Sequence, residues 1–444
     1  MYLGSMKARD FISRNFSIVL MCLYFMGAVI LLSMEHERGN PKVLIPAFLL
    51  TAFGTILFFR HAKNLTLTLG LVLGLAFRLY TFTTVPQLSN DYVRFIWDGD
   101  LQVSGIPRVY EKTPEEIMNT NFSLSARSVV LYEDMNSQQY YSVYPPFNQL
   151  FFRLVSLTDN PFTTFGLFML AGDLAVLLLL LRLLKRWKMS PEFAFLYFLH
   201  PMTIIEHSGN YHFEGIMWAF LLAAILMMEK EKWNTAGVLL GLAFGIKVVP
   251  LMVLPLLPAW IGWKHSIRVG LISGLVFFGS FFFMMDAGDI PHFLSSVQLY
   301  FNSFEFNASL YYFINWIGSS LAGFNTIAYV APFLQLLVLS FVLYLAFRKK
   351  NISAQTFMLH VTLLFLVYYL CASTVHPWYL MSVFIPSLLL GFRFGAAWLT
   401  LSMLSYFFYF FFGTGTILTM ILCLEYFLLA LFIWQEKQAI REHW

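Results

Sequence analysis

Apolar runs separated by short polar breaks recur along the whole chain, at residues 17–33, 43–59, 65–83, 161–181, 192–207, 215–228, 236–258, 269–285, 325–347, 356–373, 379–392, 396–412 and 416–434. Runs of this length and polarity are the signature of helices packed in a bilayer, where every backbone polar group must be satisfied within its own segment. The pattern therefore predicts an all-α polytopic membrane protein of about 12 to 14 transmembrane helices. Residues 85–160 interrupt it with a long polar, acidic and aromatic stretch, which carries Asn90-Asp91-Tyr92-Val93-Arg94-Phe95-Ile96-Trp97-Asp98-Gly99-Asp100 near its start and Tyr144-Pro145-Pro146-Phe147-Asn148-Gln149 near its end. A short interfacial helix is predicted over 92–103, with Phe95, Ile96 and Val103 against the membrane and Asp91, Arg94 and Asp98 grouped at three- and four-residue spacing.

Composition agrees: 59% of the 444 residues are hydrophobic and 12% charged, which excludes an ordinary soluble domain. Cys22, Cys371 and Cys423 all lie in apolar runs without ligand spacing and read as helix packing. The first run follows Lys7, Arg9 and Arg14 and imitates a signal peptide, but no small-residue cleavage site follows, so it is expected to stay as a helix.

Charge sets the topology. With the N-terminus in the cytoplasm, the basic clusters Arg60/Lys63, Lys185/Arg186/Lys188, Lys230/Lys232, Lys264/Arg268, Arg348/Lys349/Lys350 and Lys437/Arg441 all fall inside. This works only if residues 236–258 leave and return on one side, because Lys232 and Lys264 flank them; two half-helices meeting at Lys247-Val248-Val249-Pro250 are expected, against one kinked helix. The 85–160 loop then lies outside. It holds nine acids against five bases, Arg94, Arg108, Lys112, Arg127 and Arg153, so it does not offer a polyanion surface, and the net charge of +4 implies no nucleic acid.

Ionisable residues inside apolar runs cost at least about 2.5 kcal/mol near a helix centre and so call for a reason. They are Arg78, Asp173, Glu206, Glu214, Lys247 and Glu425. Arg78 either snorkels to the headgroups or binds an anion beside Asp91, whereas Asp173 and Glu425 read as bonds between helices. Lys247 follows an apolar, small-residue run with no partner in its own helix, and a buried lysine pairs or binds an anion. The segment 206–214 is too polar for an idle turn and suggests a cavity wall, with His207 and His212 read as satisfied surface histidines. His376-Pro377-Trp378-Tyr379 opens a late outer helix end. Asp98-Gly99-Asp100 has a D-x-D form, the one place a divalent metal would be looked for; otherwise no metal or cofactor is expected.

Asp91, Arg94-Phe95-Ile96-Trp97-Asp98-Gly99, Gly105-Ile106-Pro107 and Tyr144-Pro145-Pro146 together resemble the first luminal loop of GT-C fold glycosyltransferases. The match is closest to the polyprenol-phosphate-mannose-dependent mannosyltransferases and the mannosyltransferases of glycolipid-anchor synthesis. His200-Pro201 with 206–214, the segment 241–255 and His376-Pro377-Trp378-Tyr379 follow in the family's order, so the likeness covers residues 65–390. The chain departs from the family where the loop follows the third helix rather than the first, and where His212-Phe213-Glu214 stands in a hairpin that often carries an acid at that place. No soluble C-terminal domain of the oligosaccharyltransferase kind is seen, so whole-glycan transfer to protein is not expected.

The resemblance implies a GT-C-like bundle with an added N-terminal helix pair at 1–64, a catalytic module at 65–258 containing the outer loop, and a variable C-terminal module at 259–444. It implies an inverting transferase in a bacterial inner membrane, its site facing the periplasm or exterior. A sugar, expected to be mannose, would move from a polyprenyl-phosphate donor to a hydroxyl of a glycan, glycolipid or protein. Asp91 would be the general base, with Lys247, Arg78 and His376 on the donor phosphate. Arg94 and Asp98 would fix Asp91 and the sugar hydroxyls, and Tyr144, Asn210, His212, Glu214, Trp378 and Tyr379 would contact substrate. A transporter or flippase of a lipid-linked sugar competes with this reading, although its polar groups would gather at the bilayer midplane and show repeats. An O-antigen ligase or polymerase is a third, less suited to a loop without histidine.

Overall fold

The computed structural model describes residues 2–444 apart from 107, 108, 121, 123, 303 and 412–414, and only the backbone at 2–15, 64 and 300–302; Pro107, Arg108 and Phe412 thus lie outside the described residues. The described chain is helical from end to end, with no strand beyond an isolated bridge between Phe306 and Thr374. Among the described residues seven helices are long and apolar enough to cross a membrane, or eight when the bent pair Pro201–Gly209 and Glu214–Glu229 counts as one span. The other apolar runs form shorter helices, such as Leu67–Thr81, or break into pieces. Residues 396–412 become Phe394–Leu401 followed by a 3₁₀ turn Ser402–Tyr409, and 379–392 become the broken segment Pro377–Leu389.

The N-terminal helices Tyr2–Ser33 and Pro41–His61 pack antiparallel, with Gly54 against the Phe25 ring and Gly27 against Leu50. Their outer turn is seated on the 402–409 segment through Gly39, whose φ of +85° and contacts with Tyr406 O and Phe410 N leave no room for a side chain.

The break expected near Lys247 is present. Helix Trp233–Ile246 ends at Lys247, which is extended (φ −143°, ψ 142°), and a 3₁₀ stretch Val249–Leu256 leads into Leu257–Phe282. Gly262, at φ 73° and ψ 160°, divides that last helix. Trp233 stacks on His265 at 4.3 Å and Arg268 donates to Asn234 at 2.8 Å, so Lys232 and Lys264 stand on the same side. Gly237 faces Ile272 and Gly241 faces Val276, so the 263–282 arm rises parallel to Trp233–Ile246 and the 249–261 arm is the return between them. A 14-residue helix spans about 21 Å, short of the roughly 30 Å hydrocarbon layer, so it is too short to cross such a layer before the turn at Lys247.

The outer loop folds into four short helices: Asp91–Val103, Pro114–Met118, Ala126–Glu133 and Pro146–Ser156. The first differs from the sequence expectation. Phe95 and Ile96 are 2% exposed and point into protein, Phe95 stacking on Phe152 at 4.7 Å and meeting Tyr144 edge-on at 4.9 Å, while only Val103 remains exposed. This helix is the core of the loop rather than a float on the membrane, because Pro146–Ser156 packs along it so closely that Gly99 lies against the Phe152 carbonyl. Helix Ile290–Asn302 adds a cover, with Phe293 edge-on to Tyr110 and His292 stacked on Tyr141 at 4.1 Å.

Candidate active site

Residues 201–229 carry the strongest local distortion. Pro201–Gly209 and Glu214–Glu229 meet at 105°, residues Ile204–Gly209 form a π-helical turn, and Tyr211 sits at φ 62°. A π-turn next to a non-glycine residue in the left-handed region is a local strain that packing must hold. Two buried carboxylates do so. Asp173 receives Arg78 Nε at 2.5 Å, His207 Nδ1 at 2.7 Å, Tyr197 Oη at 2.5 Å and Ser208 Oγ at 3.0 Å. Glu206 receives Asn210 Nδ2 at 3.1 Å, His212 Nδ1 at 3.2 Å and the Tyr406 hydroxyl. His207 and His212 are therefore buried hydrogen-bonding residues, not the surface histidines the sequence suggested; the bend folds inward because its polar groups find partners there.

Asp91 opens the first loop helix and meets this bend, His212 Nε2 standing 3.8 Å from Asp91 Oδ2. Burial presses the Asp91 carboxyl upward, but the bonding and charge of His212, then the charges of His376 and Lys247, outweigh it and hold the group below its ordinary 3.8. A carboxylate at the first turn of a helix also gains from the helix dipole.

Lys247 is brought in by the break. It pairs with Glu214 at the start of the second bent helix, and its ammonium lies 4.8 Å from the centre of the Tyr379 ring. Asn148 ties the loop to the same place, donating to the Ile246 carbonyl at 3.0 Å and so satisfying an end group that the broken helix leaves open. Nothing in its local sequence marked Asn148 for this; the partner is a backbone atom almost a hundred residues away.

The late His376-Pro377-Trp378-Tyr379 segment completes the wall as a ring column. His212 stacks on Trp378 at 3.8 Å, and Trp378 on His376 at 4.3 Å with the rings 2° from parallel. Burial pushes the His376 imidazole down to about 3, so it is neutral at neutral pH, and its Nδ1 is buried without a partner.

These groups surround a cavity of about 550 Å³ lined by Asp91, Tyr144, His212, Glu214, Lys247, Trp378 and Tyr379, all expected from sequence, together with Asn148, Tyr369 and Ser382, which were not. On its membrane side the cavity runs along Ala331, Gln335, Val338 and Val342 of helix Ile327–Arg348. Five expected residues do not line it, and His376 is one, stacked on Trp378 in the ring column. Arg78 neither snorkels nor faces the cavity; it is sealed against Asp173, the Phe198 carbonyl and the Phe198 ring. Arg94 and Asp98 bind each other at 2.7 Å, and Asp98 also takes Ser142 Oγ and Gln149 Nε2, both at 2.7 Å, so this pair fastens the loop rather than touching Asp91. Asn210 supports Glu206. Asp100 is occupied by Arg127, so both carboxylates of the D-x-D form already have partners, and among the described residues no group of three His, Cys, Asp or Glu side chains is placed to hold a metal. Glu425, bonded by Asn307 at 3.2 Å and Trp398 at 3.1 Å, is an interhelical bond of the kind expected.

The model of glycosyltransferase family 87 matches residues 142–373, which include the Tyr144 end of the outer loop, the bent pair and the break at Lys247. No curated protein matches the chain.

Proposed function

Because the chain belongs to glycosyltransferase family 87, we propose that this membrane glycosyltransferase is an inverting enzyme that moves mannose from a polyprenyl-phosphate donor to an acceptor hydroxyl at the outer membrane face. One observation carries the reading: a single cavity joins a carboxylate held ionised, Asp91, to a lysine at a helix break, Lys247, and continues along apolar residues of a lipid-facing helix. That sequence of surfaces matches a hydroxyl, a sugar, a phosphate and a hydrocarbon chain in order.

In the transfer, Asp91 takes the proton of the acceptor hydroxyl as its oxygen bonds to the anomeric carbon. The bond from that carbon to the phosphate oxygen breaks, its electron pair leaving with the lipid phosphate, and the anomeric centre inverts. Charge develops on the phosphate oxygen in the transition state, where the Lys247 ammonium on the cavity wall stabilises it. Glu214 holds Lys247 in place, and its second carboxylate oxygen, buried and without a partner, would accept from a sugar hydroxyl. Tyr379 supplies a flat apolar face for the sugar ring, whereas Trp378, stacked between His212 and His376, offers only its edge to the cavity.

Asp91→Asn in purified protein, assayed for transfer from polyprenyl-phosphate mannose, is expected to lose about 10²- to 10⁴-fold in kcat while keeping its thermal unfolding midpoint. Full activity removes Asp91 from the role, and a wild-type protein that leaves this donor untouched overturns the donor assignment.

A further inference from the structure

The transfer step leaves a buried group unused. Glu206, wholly buried, accepts from Tyr406, Asn210 and His212 Nδ1. Three donors converging on one carboxylate stabilise its anion, and the bond at Nδ1 sets which way the imidazole faces. Nε2 is thereby turned to Asp91, 3.8 Å away, and has no hydrogen-bond partner of its own. The ring cannot swing aside: Trp378 covers one face at 3.8 Å, and the backbone beside it is fixed by Tyr211 at φ 62° and by His212 N bonding the Glu206 carbonyl at 3.1 Å.

We propose that His212 is a positioning residue for Asp91: an imidazolium clamped between the Glu206 and Asp91 carboxylates, it orients Asp91 toward the acceptor hydroxyl and keeps it ionised. This rests on Asp91 being the base. His212 keeps its own proton throughout; only the acceptor proton moves, to Asp91. The geometry gives His212 a place in the reaction that sugar contact alone does not require, since its one free nitrogen points at the carboxylate. It also explains why a buried glutamate, a tyrosine from the 402–409 segment and an asparagine are spent on a histidine at the bend.

The charged and titratable groups around the pair are Glu206 on the bend, Tyr406 behind it, His376, Lys247 and Tyr409 around Asp91, and Arg38, which lies 4.8 Å from the Tyr409 ring and bonds Asn90 beside Asp91. Removing the His212 charge takes away the first of the influences that lower Asp91 and leaves burial, which raises it. The acid limb of the kcat profile therefore moves to higher pH.

His212→Gln and Glu206→Gln are each compared with wild type using polyprenyl-phosphate mannose, recording kcat and donor KM from the acid limb to neutrality. His212→Gln is expected to lower kcat about tenfold or more at neutral pH, leave donor KM within about twofold, and shift the acid limb upward; Glu206→Gln is expected to shift it in the same direction by less. A wild-type kcat and limb in His212→Gln overturns the proposal, as does a raised KM with kcat intact, which makes His212 a donor contact. If His212→Gln does not fold, an unmoved limb in Glu206→Gln overturns it alone. An inactive Asp91→Asn beside a wild-type His212→Gln sinks only the positioning role, whereas an active Asp91→Asn sinks the base assignment beneath it.

Discussion

Two ion pairs hold the cations that stand out most in the apolar runs, and they serve different ends. Arg78–Asp173 is closed: both side chains are 0% exposed, Tyr197, His207 and Ser208 add hydrogen bonds to Asp173, and Phe198 covers the guanidinium at 4.1 Å. Lys247–Glu214 is open, with the lysine side chain 25% exposed to the cavity and one Glu214 oxygen unbonded. A charge in a membrane segment must be neutralised either way, so its presence alone does not tell a bolt from a reagent. What separates the two is whether the neutralised charge still reaches a space that a ligand can enter.

The difference is sharpest in Arg78→Met, which leaves Asp173 without its cation in a sealed site. Losing one partner of a buried pair costs about 3–5 kcal/mol, so the unfolding midpoint of the purified protein is expected to fall well below that of any cavity variant, with transfer per folded molecule much less affected. Normal stability in Arg78→Met would erase the distinction between the pairs.

Lys247→Met is expected to show the converse. On the proposed role, removing a charge that meets a developing oxyanion costs about 10²- to 10³-fold in kcat, while the loss of stability is expected to be smaller than in Arg78→Met because the lysine side chain is 25% exposed, although Glu214 itself is buried. Measured side by side, the two variants should exchange ranks between the unfolding assay and the turnover assay. Next in size is Asn148→Leu, which removes the donor from the Ile246 carbonyl. The open carbonyl costs about 1–3 kcal/mol, felt where Lys247 is held, and the expected result is a lower midpoint together with a smaller loss of kcat than in Lys247→Met.

How much of this was legible in the chain follows from the kind of signal each residue left. Membrane helices, outer loop and the return at Lys247 came from hydropathy and from Lys232 and Lys264 flanking one apolar run, both properties of contiguous residues. Asp91, Lys247 and Trp378 were found because charge or amphipathic rings at their positions have few innocent uses. Arg78 was placed wrongly for the same reason: its partner Asp173 lies 95 residues on, and only the fold brings them together. Phe95 was sent to the lipid because a periodic apolar face does not say which apolar phase covers it, and Asn148 left no signal at all because polar residues in a polar loop are commonplace.

The smallest expected effect is on pH dependence, and it tests whether the open pair is felt at a distance. In the proposed role Asp91 acts as the ionised base, and its carboxyl is held below 3.8, so activity carried by Asp91 should be complete well above that value and be lost as pH falls through the lowered one. The same depression adds folding stability that is present above the unfolded value and disappears on the same acid limb. Lys247 is the last of the charges that lower Asp91, after His212 and His376. In the residual activity of Lys247→Met, the acid limb is therefore expected to move upward, but by less than in His212→Gln, and in Arg78→Met it should not move, because Arg78 acts on Asp173 and not on Asp91. A limb shifted equally by Arg78→Met and Lys247→Met would mean that the closed pair reaches the site after all.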